Sequence, residues 1–529
     1  MIGARAARVL GGLLLAVVAL LLLPAAPASA HAVLVSSDPA DGSRLEQAPA
    51  AVRLTFDEGI ALPPAATTVL SSTGARVDAG RARLEGRTVV VPLEAAVPEG
   101  VYTVAYRVVS ADSHVVSGSL RFGVRRDAQA VEGPVSLGSP LDPALGAAIG
   151  AGYLGAALGV GAPAAAAVLW PAVQRRRRVL RLAQAGLLVL ALATLADLLL
   201  RGPRASGGGW AGVLRVEDLG YTVTSPAGAV LLVRLLLVGA LAGLSLARAP
   251  RPRIAGVLGV GVLTTIALLG HATDGAASLL VPAAVVHLAA MALWLGGLVV
   301  LVTAVLPRVR RAPAAGVRLL RRWSLVAYTC VAVLVVTGEV QAFPTVVPLD
   351  ALWSTGYGVL LLAKLGLLVL VLVLAAAAQR VVAGARVPPR ARLCRTAVVE
   401  VAGLVAILAV TGALSTTATA AETYGPAVTR TVAAGSDRLV VQVDRTRRGP
   451  AVIRVRALDA GGRPIRLRSL EGALGTEGVA ALDVAFRRDG DGWRSTGAGL
   501  PIAGEWTLTL QTEVSTTAGT AAAVSWPVW

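Results

Sequence analysis

The sequence is poor in several residue types that mark particular activities. Lys364 is the only lysine among 529 residues and is followed by leucine, so the Gly-Lys-Ser/Thr of a Walker A loop is absent. The Asp-Lys-Thr motif of phosphorylated-aspartate pumps is absent too. Cys330 and Cys394 lie far apart without a Cys-x-x-Cys motif, which supports neither a disulfide framework nor a thiol metal-transfer motif. The chain is therefore not expected to hydrolyse ATP, and no enzyme activity is predicted.

The sequence is rich in apolar residues instead. Hydrophobic residues make up 55% of the chain, and its mean hydropathy is +0.71. Several membrane spans are predicted, because a soluble protein of this length would not be so apolar. The net charge of +18 is carried by arginines that cluster between apolar runs, a pattern that orients membrane helices. The basic charge therefore indicates a lipid bilayer as the partner and no nucleic acid.

Residues 1–30 have the composition of a signal peptide. Two arginines precede an apolar run, and the small residues Ala-Ser-Ala at 28–30 match a signal-peptidase site. Cleavage after Ala30 would make His31 the new N-terminus. The alternative is an uncleaved membrane anchor, for which the apolar run is short.

Two regions outside the apolar centre have β character. Residues 31–125 contain short β-type runs separated by glycine, proline and aspartate, which predicts a secreted all-β domain of the Greek-key sandwich or barrel type. A linker is expected at 126–141. Residues 426–529 predict a second all-β sandwich. This second domain contains no histidine, cysteine or methionine, so a structural or partner-docking role is expected for it.

Residues 142–417 predict an eight-helix transmembrane bundle, which makes the chain a multidomain membrane protein. The apolar segments are 144–170, 179–200, 226–247, 253–272, 281–306, 322–343, 354–379 and 395–416. Arginine-rich loops alternate with HATDGAAS and the region 341–356, which lack basic residues, and with the mixed loop 201–225, which has three arginines. The basic loops are therefore expected in the cytoplasm, with both β domains outside the cytoplasmic membrane.

A freed His31 would offer two nitrogen ligands to one metal ion, its amine and its imidazole. Nitrogen ligands in a tetragonal arrangement suit Cu(II), which also leads the divalent affinity series. His114 is the other histidine of this domain, and Asp112 shares a face with it on an extended segment. Glu58 adds a further carboxylate, as a ligand or as a partner of one. The alternative is an accidental histidine and a solvated Asp-Ser-His turn.

The two remaining histidines lie in the apolar region. His271 ends the fourth segment and His287 lies early in the fifth, about 10 Å from the outer membrane surface at 1.5 Å per residue. Met291 and Trp294 follow His287 at helical spacing and share its face. The thioether of Met291 would suit Cu(I). The alternative is that His271 caps a helix and His287 hydrogen-bonds a neighbouring helix.

Four charged residues also fall inside predicted spans. Asp197 and Glu339 have a depth similar to that of the histidines, and Arg234 and Lys364 lie deeper. Ionisable groups within a membrane are costly and usually mark function. The two carboxylates are therefore grouped with the histidines in a predicted membrane copper site, and the two cations would balance carboxylates or line a path.

Three stretches of the first β domain resemble the CopC copper-binding family: HAVLVSSDPADGS, APAAVRLTFDEGI and SADSHVVSGSLRFGV. The resemblance implies a β-sandwich or barrel that holds Cu(II) through its N-terminal histidine. It implies His31, Asp112 and His114 as ligands, and Glu58 as the family's acidic residue. Asp57 beside Glu58 leaves this last assignment open.

The apolar region is similar to the CopD membrane proteins, which are often fused behind CopC. The similarity rests on GHATDG, VHLAAMALWLGGL, VVTGEVQAF and TGYGVLLLAKLGLL. It implies copper handling at the bacterial cytoplasmic membrane. The C-terminal domain resembles YtkA-like modules more weakly.

These observations predict a copper transport or homeostasis protein that captures Cu(II) outside and passes it through the bundle, most simply as import. The alternatives are a membrane oxidoreductase with a b-type haem between His271 and His287, and a copper monooxygenase at His31. A further alternative is delivery to an extracytoplasmic copper chaperone or exported cuproenzyme.

Overall fold

The architecture is that of a computed structural model of the full chain. The described residues are 32–65, 67–110, 115–128, 139–174, 177–246, 251–270, 277–306, 313–346, 348–383, 390–477, 479–496, 498–500, 502–515 and 518–529. They form two compact units. The helical region is one unit, and the N-terminal and C-terminal β domains together form the other.

The N-terminal β domain is a sandwich of two sheets, as predicted. One sheet has the strand order β1-β3-β7-β6, and the other has the order β2-β9-β8-β4, with β5 also paired to β8. The strands are β1 Leu34–Asp38, β2 Ser43–Leu45, β3 Ala51–Phe56, β4 Ile60–Ala61, β5 Thr67–Ser71, β6 Arg83–Glu85, β7 Thr88–Pro92, β8 Gly100–Ser110 and β9 Val115–Val124.

Alternation along the strands builds the core of this sandwich. In β3 every second residue, Val52, Leu54 and Phe56, is fully buried. Side chains of successive strand residues point to opposite faces, so an alternating sequence presents one apolar face to the opposite sheet. Phe56 meets Tyr106 of β8 edge to face with ring centroids 5.8 Å apart, which joins the two sheets.

The helical unit contains seven stretches that are long and apolar enough to cross a membrane within the described residues. They are Asp142–Leu169, Arg177–Ser206, Pro226–Leu246, Leu280–Val305, Arg322–Ala342, Gly356–Ala377 and Arg395–Leu414. The helices are α1 Asp142–Ala156, α2 Ala162–Leu169, α3 Pro171–Gln174, α4 Arg177–Ser206, α5 Val216–Thr224, α6 Pro226–Leu246, α7 Pro252–Ala267, α8 Ala277–Val300, α9 Pro313–Ala342, α10 Ala351–Ser354, α11 Gly356–Ala383, α12 Arg390–Leu414 and α13 Ala420–Thr423.

The predicted fourth segment, 253–272, corresponds to a shorter helix than expected. Helix α7 has 16 residues and so spans about 24 Å, against about 30 Å for a hydrocarbon core. The residues after it, up to Gly270, form a turn. Within the described residues, seven long helical stretches and one short apolar helix thus correspond to the eight predicted segments.

Glycines let α1 and the π-helical turn Ala157–Gly161 approach α4 closely. A Cβ added at Gly155 would lie 2.6 Å from the Leu190 nitrogen and 2.9 Å from the Gly186 oxygen. Both atoms belong to the backbone of α4 and have no rotamer to relieve the overlap. Small residues at such positions are a usual basis of helix packing in membranes.

We expect Gly155→Ala to lower the thermal unfolding midpoint of the purified protein, because overpacking of this kind costs about 1–3 kcal/mol. Gly239→Ala is the matched control, since a Cβ at Gly239 meets nothing within 4 Å. The midpoint should fall for the first variant and stay level or rise for the second. Equal midpoints for both would contradict the close approach of α1 and α4.

The C-terminal domain is all-β, as predicted, and most of its strands form one coiled, barrel-like sheet. Its strands follow the order β10-β11-β13-β17-β16-β15-β19-β20, with β14 beside β13, while β12 and β18 pair separately. They are β10 Val428–Ala434, β11 Asp437–Val443, β12 Gly449–Pro450, β13 Ile453–Leu458, β14 Pro464–Ile465, β15 Ser469–Thr476, β16 Val479–Asp489, β17 Gly492–Thr496, β18 Gly499–Leu500, β19 Gly504–Ser515 and β20 Ala518–Val528.

The twist of long strands explains the barrel-like form. Strands β19 and β20 have 12 and 11 residues, and twist accumulates across a sheet until its ends approach each other. A Cβ at Gly435, after β10, would lie 3.5 Å from Thr520 Oγ1 in β20. The cross-strand pair Trp506 and Trp526 is fully buried in the interior.

Candidate metal centres

The N-terminal strand is fixed at its first residues. The Val33 amide donates to Asp57 Oδ1 at 2.6 Å, and the Asp57 amide donates to the Val33 carbonyl at 3.1 Å. Ala32 is 2% exposed. The chain is therefore held beside the end of β3 from the residue that directly follows His31.

The two neighbouring carboxylates after β3 have different roles. Asp57 binds the N-terminal backbone, and its own carbonyl accepts a 2.6 Å hydrogen bond from Arg87 Nη1. Glu58 is half-buried, and its Oε1 is shielded from solvent. Because Asp57 already orders the N-terminal strand, Glu58 is the better candidate for the metal-binding carboxylate.

The last residue of β8 and the first residues of β9 lie beside the segment that follows β3. Ile60 pairs with Ser110, the last residue of β8, and lies two residues after Glu58. Strand β9 begins at Val115. The backbone therefore leaves β8 and re-enters β9 beside the segment that carries Glu58, and Asp57 of that segment binds the N-terminal strand.

His31, Asp112, His114 and His271 lie outside the described residues. Among the residues that are described, no group of three or more His, Cys, Asp or Glu side chains could hold a metal ion. Burial raises the pKa of Tyr106 to about 12, so this phenol stays protonated near neutral pH. It is thus a poor candidate for an anionic ligand.

In the helical unit, a hydrogen bond fixes the orientation of His287. Its Nδ1 lies 2.9 Å from Thr337 Oγ1 of α9. The Thr337 hydroxyl donates its single proton to the Val333 carbonyl at 2.6 Å, so it must accept from the imidazole. This arrangement favours the tautomer with the proton on Nδ1, which leaves a lone pair on Nε2. Such partners set the tautomer of ligating histidines.

The other residues predicted for this site differ in burial and in their relation to His287. Trp294 is buried in the bundle core and Met291 packs against it half-buried. Glu339 is half-buried, two residues after Thr337 in α9. Lys364 of α11 is close enough to His287 for its charge to act on the imidazole.

Asp197 belongs to a separate buried cluster. Its carboxylate accepts a 2.6 Å hydrogen bond from Arg201 Nε, one helical turn along α4. Arg234 of α6 is close enough for its charge to attract Asp197, and it donates to the Thr265 hydroxyl at 3.2 Å and carbonyl at 2.8 Å. The structure thus joins Asp197 to Arg201 and Arg234, and His287 to Thr337. Asp197 and Arg234 are 4% and 6% exposed.

Several polar residues of the helical unit are not among the predicted site residues. Arg201 stands four residues after Asp197, the spacing of ion pairs on one helix, and was detectable. Glu400, half-buried within α12, is an ionisable residue inside a predicted span and was detectable too. Thr265 and Thr337 were not, because each acts across a contact between helices distant in sequence.

Three family models match successive parts of the chain. The CopC domain model matches residues 34–125, the copper resistance protein D-like N-terminal domain model matches 140–279, and the copper resistance protein D model matches 317–414. Copper resistance protein C of Pseudomonas syringae pv. tomato is 32% identical over 112 residues, which are 20% of this chain and 88% of that protein. The chain belongs to the CopC/CopD family of copper resistance and transport proteins.

The relationship extends beyond the CopC domain. The copper transport protein CutJ of Bacillus subtilis (strain 168) is 29% identical over 370 residues, 66% of this chain and 67% of that protein. The crystal structure of CopC from Methylosinus trichosporium OB3b is 31% identical and covers 18% of this chain and 93% of that chain, with a TM-score of 0.16. The family models identify the CopC domain and the CopD bundle, while the YtkA-like character of the C-terminal domain stays a prediction.

Proposed function

We propose that the chain is a copper transporter whose CopC domain binds Cu(II) and passes it to the CopD bundle for passage across the cytoplasmic membrane. The observation that carries the proposal is the convergence of three backbone segments in the CopC domain. They are the start of the N-terminal strand, the segment that carries Glu58, and the ends of the β8–β9 hairpin. The predicted ligands belong to or directly flank these segments.

The proposed Cu(II) site comprises the amine and imidazole of His31, the imidazole of His114 and the carboxylate of Asp112, with Glu58 beside them. Amine and imidazole nitrogens together with a carboxylate oxygen suit Cu(II) in a tetragonal arrangement. Asp57 contributes by holding the backbone of residue 33, which restricts where the preceding residue can go.

We expect Glu58→Gln to weaken Cu(II) binding by about 10–100-fold, the usual effect of removing a group that supports metal ligands. The carboxamide keeps the size of the side chain and removes its charge. Cu(II) affinity is measured by competition with a chelator of known affinity. Glu46→Gln is the control, since the Glu46 side chain is 79% exposed and forms a surface ion pair with Arg44 at 3.4 Å. Equal affinities for both variants would exclude Glu58 from the site.

The membrane step is proposed to use His287. Its Nε2 carries the lone pair, and Met291 lies one turn further along α8 with a thioether that suits Cu(I). His271 is the proposed second imidazole. Passage would follow a gradient, or be coupled to another ion or to reduction, because the chain lacks the lysine motifs of ATP-driven pumps.

Import is the direction favoured by this layout, since the Cu(II) ligands belong to a domain expected outside the membrane. Arginine-rich loops support that orientation. Outward-pointing apolar side chains on the helices, such as Val369 at 59% exposure, support contact with lipid. Both β domains are then extracytoplasmic.

Radiolabelled copper accumulation tests the proposal. Cells that carry the protein should accumulate more copper than cells that lack it, and His287→Ala, alone or with His271→Ala, should remove the excess. Thr337→Ser keeps the hydroxyl that orients His287 and should retain the excess, whereas Thr337→Val should lose most of it. Unchanged or lowered accumulation would overturn import, and a haem absorption band in the purified protein would reassign His287 to haem binding.

A further inference from the structure

The C-terminal β domain contacts the CopC domain along its first strand. The ribbon of β12 and β18 lies against β1: a Cβ at Gly449 would lie 3.6 Å from Val33 Cγ1, and one at Gly499 would lie 3.6 Å from the Val35 carbonyl. These are ordinary van der Waals distances. The ribbon therefore touches the residues that directly follow the predicted Cu(II) ligand His31.

This contact lies at an edge of the CopC sandwich. Strand β1 is the terminal strand of its sheet, whose order is β1-β3-β7-β6. An edge strand has one side without a neighbouring strand in its own sheet and is readily displaced or paired with another chain. The β12–β18 ribbon covers this edge and thus restrains β1, which begins three residues after His31.

A second contact anchors the two domains to each other. Arg487 of β16 donates from Nη1 to Asp127 Oδ1 at 3.1 Å, and from Nη2 to the carbonyls of Gly42 and Ala128 at 2.8 and 3.0 Å. Gly42 precedes β2, and Ala128, which is 1% exposed, follows β9. One guanidinium therefore binds two separate segments of the CopC domain.

We propose that the C-terminal β domain is a docking module that holds the N-terminal strand of the CopC domain in position for copper binding, with Arg487 and the β12–β18 ribbon as its contacts. The inference rests on the proposed function of the CopC site. A chelating residue on a restrained strand loses less conformational freedom when it binds metal, so docking strengthens Cu(II) binding. Arg487 is a positioning residue in this scheme and touches no copper.

The test compares two arginines of the same strand in the full-length protein. The test variant combines two substitutions. Arg487→Ala removes the guanidinium that binds both segments of the CopC domain, and Gly499→Leu adds a side chain that displaces the β12–β18 ribbon from β1. Arg488→Ala is the matched control, because Arg488 donates to Leu467 of its own domain at 2.7 Å and lies over the Trp493 ring at 5.3 Å. Hydrogen–deuterium exchange of residues 32–38 and Cu(II) affinity, by chelator competition, are both measured.

We expect the double variant to speed exchange of residues 32–38 and to weaken Cu(II) binding about tenfold, the lower end of effects from groups outside the ligand set. Arg488→Ala should change neither. Unchanged exchange in the double variant would overturn the docking contact, and faster exchange with unchanged affinity would overturn its link to copper. Absence of Cu(II) binding by the unaltered protein would instead refute the proposed function of the site, while the exchange result still reports docking.

Discussion

One residue added in front of His31 is expected to weaken Cu(II) binding by at least about 100-fold. The extra residue converts the amine of His31 into an amide, so the chelate of amine and imidazole is lost. Changes outside the ligand set of a metal already cost about 10–100-fold in affinity, and the loss of a ligand costs more. The fixed backbone of Ala32 and Val33 gives the extended chain little room to compensate.

The measurement is Cu(II) affinity of the processed protein, whose N-terminal residue is first established by mass spectrometry. His31→Ala and His114→Ala should weaken binding to a similar degree. An extra residue at the C-terminus is the control for added length and should leave the affinity unchanged. An N-terminally extended protein with full affinity would refute the amine as a ligand.

Asp197→Ala is expected to destabilise the helical unit by about 3–5 kcal/mol. Removal of one partner of a buried ion pair leaves the other charge uncompensated, at a cost of this size. Here two cations, Arg201 and Arg234, would face each other without their shared carboxylate. The side chains of Asp197 and Arg201 are only 5% and 18% exposed, so water replaces the lost partner poorly.

The thermal unfolding midpoint of protein in detergent or nanodiscs reports this loss. Asp350→Ala removes an exposed carboxylate before α10 and should leave the midpoint unchanged. The double variant Asp197→Leu with Arg201→Met should recover part of the stability, because it removes one of the two uncompensated cations and leaves Arg234 with its hydrogen bonds to Thr265. A single variant as stable as the unaltered protein would show that the cluster is open to water.

Much of the fold could be predicted because its signals are local. Alternation in stretches such as AVRLTF defines strands, and runs of about 20 apolar residues define spans. The length of α7 and the coiling of the C-terminal sheet were not predictable. The first depends on where a turn begins after Ala267, and the second on strand twist summed over many pairs.

In the candidate sites, too, some features follow from local sequence and others depend on contacts between distant segments. His287 was identified from its position inside a span, but its tautomer depends on Thr337, fifty residues away on another helix. Asp197 was grouped with the histidines by depth alone, whereas its partners are set by how α4, α6 and α7 rotate against each other. In the CopC domain, the sequence leaves the choice between Asp57 and Glu58 open, and only the hydrogen bond from the Val33 amide to Asp57 makes Glu58 the better candidate.

The pairing of the two β domains in one unit has a consequence for biogenesis. The CopC domain is synthesised first, but its docking partner begins only at residue 421, after the whole helical bundle in the sequence. At about 5–20 residues per second, roughly 15–60 s separate the synthesis of the two domains. During this interval the edge of β1 is bare, and the nascent chain is open to proteases and to pairing with other chains. Once the two β domains have associated, the first and last domains of the chain are held together. The membrane helices between them then form a closed loop of the chain.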